Sequence, residues 1–193
     1  MREVGAIWWI FLSPEGDMDM RNRWLPPIVS LVGILVIAGC SRSPIQVAEL
    51  RHFPIDSMEG IITRSGVEID RHVTSDGNGA LRITFTAPTV VRLFEIGGIE
   101  VDNARLIYRA RIRTDEVDGQ VYLEMWCHFP GRGDFFSRGL QNPLTGTTDW
   151  VTEETPFLLR EGERPDRVVL NLVANGKGTA WIDDVRLLKG PLG

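Results

Sequence analysis

The 193-residue sequence is poor in the side chains on which much enzyme chemistry depends. It holds two cysteines and three histidines, with no Cys/His spacing of the kind that closes a metal site. Serine and cysteine nucleophile motifs are missing, and so is a glycine loop that would cradle a phosphate. No stretch sustains a helical repeat of apolar residues over three turns, and there is no internal repeat or low-complexity segment. A large excess of one charge is also lacking. The net charge is −5, and no basic stripe exists to neutralise phosphates, which argues against nucleic acid as a partner.

One apolar run stands out, from Leu25 to Cys40, closing on Ile37-Ala38-Gly39-Cys40. Arg21 and Arg23 precede it and Ser41-Arg42-Ser43-Pro44 follows. The uninterrupted part after Pro27 is only about a dozen residues, short of the about 20 that a spanning helix needs. It suits a secretory h-region of about 7–15 residues behind a positive n-region. An aliphatic residue, two small residues and then Cys is similar to the lipobox of bacterial lipoproteins. That resemblance implies cleavage before Cys40, lipid attachment to Cys40 and membrane anchoring at the cell envelope. Ser41, rather than Asp, in the next position implies the outer membrane if the host is Gram-negative. The alternative is an uncleaved signal anchor.

Residues 1–19 fit this scheme poorly. Their apolar patch, Gly5 to Leu12, is followed by Glu15, Asp17 and Asp19, the wrong sign for an n-region. Met20-Arg21-Asn22-Arg23 reads as a natural start, so 1–19 is a mis-assigned start or a short extension. The expected organisation is then a signal peptide over 20–39, a lipidated tether over 40–49 and one domain over 50–190. About 150 residues follow Cys40, enough for a sizeable core. They carry 18 basic and 22 acidic side chains, a net −4. With Cys40 acylated, Cys127 has no partner for an internal disulfide.

From Leu50 onward the apolar pattern has period two. Strands are predicted over 50–55, 60–64, 67–72, 80–86, 90–96, 104–113, 120–129, 151–159, 167–174 and 179–188. Turn formers separate them, including Asp76-Gly77-Asn78-Gly79, Gly97-Gly98, Asp118-Gly119, Pro130-Gly131-Arg132-Gly133-Asp134 and Asn175-Gly176. Many short strands at this spacing indicate an all-β sandwich or jelly roll. Alternation assigns the faces. Val121, Leu123, Met125, Cys127 and Phe129 form a core set, opposed by Tyr122, Glu124, Trp126 and His128. Val168, Leu170, Leu172 and Ala174 point inward, and Arg167, Val169, Asn171 and Val173 outward. Cys127 is therefore expected to be a buried hydrophobe.

The last third carries a second resemblance. Thr147-Thr148-Asp149-Trp150, the strand ending near Pro156-Phe157, Arg167–Asn171 and Gly176-Lys177-Gly178-Thr179-Ala180-Trp181-Ile182-Asp183-Asp184-Val185-Arg186-Leu187-Leu188 are similar to the closing strands of carbohydrate-binding modules. The kind meant is the galactose-binding-domain-like jelly roll carried by bacterial glycanases, especially cellulose- and xylan-binding ones. The match covers about residues 145–188 and extends more loosely back to about residue 50. It speaks for the fold more than for the ligand. It implies that Trp150 and Trp181 are structural. It also implies that Asp183 and Asp184 help hold a structural Ca²⁺, with Glu68, Asp70 or Asp56 as further oxygen donors. Equally open is that the two aspartates accept hydrogen bonds from backbone and arginine.

Sugar recognition combines an aromatic platform for the apolar ring face with planar polar groups for the hydroxyls. Tyr122, Glu124, Trp126 and His128 supply these types on one strand face. Arg109 and Arg111 are expected beside them, with Asn171 joining from another strand, and a concave sheet face here would make a glycan groove. The alternative is a solvated face with cross-strand charge pairs. Phe135 and Phe136 in the loop 129–136 offer a second stacking surface, and Arg132-Gly133-Asp134 is a chance tripeptide. A glycosidase needs two carboxylates about 5–10 Å apart, and Glu124 has no evident mate. A polysaccharide lyase would use Tyr122 or His128 as base and Arg109 or Arg111 against a uronate carboxylate. The expectation is a non-catalytic glycan-binding sandwich, with an accessory envelope protein that contacts another protein as the alternative and a jelly-roll lyase as the second.

Overall fold

The computed structural model describes residues 47–192. Cys40, the expected lipobox and the expected signal peptide lie outside the described residues. Eight strands and no helix occur among the described residues: β1 (Ala48–Phe53), β2 (Val67–Asp70), β3 (Ala80–Phe85), β4 (Thr89–Gly97), β5 (Ala104–Phe129), β6 (Gly133–Arg138), β7 (Leu144–Leu159) and β8 (Arg167–Gly190). Every pairing is antiparallel. The fold is an all-β sandwich.

Two long strands organise it. β5 and β8 pair from Arg105 opposite Gly190 to His128 opposite Arg167. Their halves serve different layers. One layer has the order β4, β8 (167–174), β5 (120–129), β6. The other has β2, β3, β8 (179–190), β5 (104–115), β7, with β1 beside the end of β8. Between the layers, Leu106, Tyr108, Ala110 and Ile112 from the first half of β5 meet Val121, Leu123, Met125 and Cys127 from the second.

The inward set of β5 changes from even to odd numbers along the strand. A register shift between Asp115 and Asp118, with Glu116 at φ 50, supplies the extra residue that turns the pattern over. This is where the sequence expectation of two strands joined by an Asp118-Gly119 turn fails. Asp118-Gly119 and Asn175-Gly176 are not loops but facing positions of one bent ladder, with Gly119 opposite Gly176. A Cβ on Gly119 would lie 1.8 Å from the Asn175 carbonyl oxygen, and one on Gly176 1.9 Å from that of Asp118. Only glycine permits this approach at φ 134 and 112.

Three smaller differences share one cause, the neglect of what lies alongside. The 60–64 segment is not a strand; it touches the edge of β4 through two backbone bonds, Ile62 N–H to Leu93 O and Thr63 N–H to Arg92 O. The region expected as a loop over 129–136 contains most of β6, which pairs with β5 after a tight turn closed by Arg132 N–H to Phe129 O at 3.0 Å. β7 begins at Leu144 rather than Val151 because Gly146 and Thr148 pair with β5 across its bulges.

Candidate functional site

The outer face of the β4–β8–β5–β6 layer is built of four rungs, each fixed by strand register. Val90, Val173 and Tyr122 form the first. Arg92, Asn171, Glu124 and Arg138 form the second. Glu95, Val169, Trp126 and Phe136 form the third, and Gly97, Arg167, His128 and Asp134 the fourth. Across the first three rungs and part of the fourth runs an open groove of about 680 Å³, within the usual size of small-ligand clefts.

The floor is more buried than a solvated sheet face would be. Tyr122, Val169 and Val173 are buried, Glu124 is 3% exposed and Asn171 4%. Trp126 is half-buried, with the Phe136 ring 5.0 Å away and tilted by 48°. Phe136 itself is 50% exposed. The two rings make an aromatic corner, and the Arg138 guanidinium lies 4.3 Å over Phe136.

Glu124 is the hub of the polar rung. Its Oε1 accepts the Trp126 indole N–H at 2.7 Å and the Asn171 Nδ2–H at 3.1 Å. Its Oε2 accepts Arg138 Nε–H at 2.6 Å. Burial alone would raise the Glu124 pKa, but these three donors and the Arg138 charge outweigh it and hold the carboxyl below its ordinary range. Glu124 is therefore an ionised orienting group. Asn171, having donated to Glu124, keeps a buried Oδ1 with no protein partner.

Of the residues expected at the site, Tyr122, Glu124, Trp126 and Asn171 converge on the groove. His128 stands on its fourth rung, where Nδ1 donates to Asp134 Oδ1 at 2.8 Å and the ring borders a neighbouring depression with Glu95 and Asp166. Arg109 and Arg111 do not join them. Both lie on the first half of β5, in the other layer, where Arg109 ion-pairs with Glu154 and Arg111 donates to the Ser75 carbonyl at 3.1 Å. The bend in β5 separates them from Tyr122, so the expected base-and-arginine lyase constellation is not assembled. The arginines that line the groove, Arg92, Arg138 and Arg167, come from β4, β6 and β8. Alternation on the predicted strands carried a signal for Arg92 and Arg167, but Arg138 fell in no predicted strand, and strand neighbours were needed to bring the three together. Phe135 and Phe136 also part company: Phe136 faces Trp126, whereas Phe135 meets Phe129 edge-on at 5.7 Å.

The donors around Asp183 and Asp184 do not fit calcium. Asp183 is 1% exposed, and its Oδ2 accepts the Ser75 hydroxyl at 2.6 Å and the Ser75 N–H at 3.2 Å, while Oδ1 accepts the Asp184 N–H at 2.7 Å. Asp184 Oδ1 takes Arg186 Nε–H and His52 Nε2. Hydrogen-bond donors thus occupy both carboxylate oxygens of Asp183 and Oδ1 of Asp184, oxygens that a cation would compete for. Glu68 is paired with Arg82, and Asp70 accepts the Trp181 indole N–H at 2.9 Å. Among the described residues no cluster of three or more His, Cys, Asp or Glu side chains is arranged for a metal. The Asp183-Asp184 pair instead makes a bulge: Asp184 sits at φ 50, where the β5–β8 register shifts between Arg109 and Arg111.

Trp181 is 8% exposed with Arg113 stacked 6.0 Å over its ring, and half-buried Trp150 has Arg111 at 5.9 Å, both remote from the groove. Cys127 is fully buried, and burial pushes its thiol up to about 12.

No family model matches the sequence, and no curated protein matches it. Solved structures do match the fold. The CBM22-1 xylan-binding domain from Paenibacillus barcinonensis Xyn10C aligns at a TM-score of 0.55 and 11% identity, over 78% of this chain and 100% of that one. The CBM22-1–GH10 modules of Clostridium thermocellum Xyn10B, solved with xylohexaose, align at 0.54 and 9% identity, over 74% of this chain and 28% of that one. The chain thus has the β-sandwich fold found in carbohydrate-binding modules. At these identities the likeness is one of fold.

Proposed function

We propose that this protein is a non-catalytic glycan-binding lipoprotein, anchored to the bacterial envelope through Cys40 and binding a polysaccharide in the groove of the β4–β8–β5–β6 layer. One observation carries the reading. The Trp126–Phe136 corner stands directly beside the polar rung of Arg92, Asn171, Glu124 and Arg138, in which Glu124 accepts from Asn171 and Arg138. An aromatic platform next to planar polar groups is what a sugar ring, with one apolar face and a hydroxyl rim, requires. The shared fold with xylan-binding modules supports it as an analogy.

The state of Glu124 supports the non-catalytic reading by arguing against this residue as a glycosidase acid. A glycosidase acid must hold a proton near neutrality, which needs a raised pKa. Glu124 is held ionised and its oxygens are occupied.

A glycan array and polysaccharide pull-down on the purified protein tests binding. Trp126→Ala is expected to abolish the signal while leaving the melting temperature nearly unchanged. A folded protein with no glycan affinity, co-purifying with another envelope protein, would replace this reading with that of an accessory component. Anchoring is checked separately: Cys40→Ser is expected to block incorporation of labelled palmitate.

A further inference from the structure

We infer that the groove selects an acidic polysaccharide, one whose sugars carry a uronic carboxylate, over neutral glycans. The inference rests on the glycan-binding reading and names its substrate class. It follows from how the charges of the groove are layered. In the Glu124–Arg138 pair the Glu124 side chain is 5% exposed and the Arg138 side chain 37%. The acid lies beneath and the base above, so a ligand entering the groove meets the cation. Arg138 spends only its Nε–H on Glu124, which leaves the paired Nη donors of its fork for a planar anion.

Arg167 adds a second exposed arginine two strands and two rungs away. It is 44% exposed, and its nearest acid is Asp134 at 3.8 Å, beyond hydrogen-bond distance. Asp134 is instead engaged by His128 at 2.8 Å. Arg92, on the far wall, is held by Glu95 at 3.0 Å and is not needed for the inference. Two guanidiniums with unspent donors therefore flank the Trp126 platform in a chain whose net charge is −5. A neutral sugar would leave these donors with hydroxyls alone. A carboxylate takes the bidentate, charge-assisted geometry that Arg is shaped for.

The test compares polygalacturonate with its fully methyl-esterified form, by calorimetric titration of the full chain in detergent. The acid polymer is expected to bind at least about tenfold more tightly, with affinity falling as salt rises. Arg167→Gln is expected to erase most of that preference. Arg138→Lys, which keeps a cation over Glu124 and so protects the fold, is expected to reduce it, and Trp126→Ala to remove both ligands. Equal or tighter binding of the ester, flat in salt, overturns the inference and leaves the glycan reading intact. Failure of the folded protein to bind any polysaccharide overturns the glycan reading as well. Binding of dextran sulfate as tight as that of polygalacturonate, and unchanged by Trp126→Ala, would also overturn the inference by exposing a nonspecific polyanion effect.

Discussion

Glu124 and Trp126 stand two residues apart on one face of β5, and the indole N–H of the second donates to the carboxylate of the first at 2.7 Å. The contact locks the plane of the only tryptophan lining the groove. Because the same carboxylate also holds Asn171 and Arg138, one buried charge sets the orientation of three groups that a ligand would meet.

Glu124→Gln is expected to weaken stability at neutral pH by about 1–3 kcal/mol, since an amide cannot accept from all three donors. It also changes the acid response. The folded carboxyl holds its proton less tightly than the unfolded one. Its stabilisation is therefore complete above the unfolded value, about 4.3, and is lost as pH falls through the depressed folded value. Asp70 and Asp184, also held below their ordinary range, act in the same direction. Urea titrations between pH 7 and pH 3 should show a shallower acid limb for the variant. An unchanged limb would remove Glu124 from the account.

Gly119→Ala is expected to cost about 4 kcal/mol or more, or to prevent folding, because the new methyl would fall 1.8 Å from a carbonyl oxygen of the paired strand. Gly131→Ala provides the contrast. Gly131 has φ 72 but nothing within 4 Å of an added Cβ, so only the conformational cost of about 1–2 kcal/mol applies. Thermal unfolding of the two variants distinguishes a steric clash from a simple backbone preference. Equal losses would refute the close approach of β5 and β8.

Calcium and EDTA are expected to leave the melting temperature unchanged, whereas Ser75→Ala should lower stability by about 1–3 kcal/mol by leaving Asp183 short of a donor. Differential scanning calorimetry reads both. A rise in melting temperature with calcium, absent from Asp183→Asn, would restore the metal site implied by the resemblance to carbohydrate-binding modules.

The period-two alternation carried the all-β class, and on Gln120–Phe129 it sorted core from groove correctly. That was possible because a strand's two faces are a local property, set by the pleat alone. Cys127 belonged to the core for the same reason. The Phe135-Phe136 pair was less legible, since two adjacent aromatics fit neither face until a partner strand separates them.

Adjacency was beyond local reading. Arg109 and Arg111 share β5 with Tyr122, yet a bulge and two facing glycines carry them into the other layer. Arg138 and Arg167 are distant in sequence and reach the groove only through β6 and β8 pairing with β5. Asp118-Gly119 and Asn175-Gly176 have the composition of turns, and nothing local says that each will face the other. The sequence alone thus established the strand class and the inward or outward sense of most side chains, both encoded within a few residues. Folding settled which outward side chains become neighbours, because hydrogen-bond register joins residues that the chain keeps far apart.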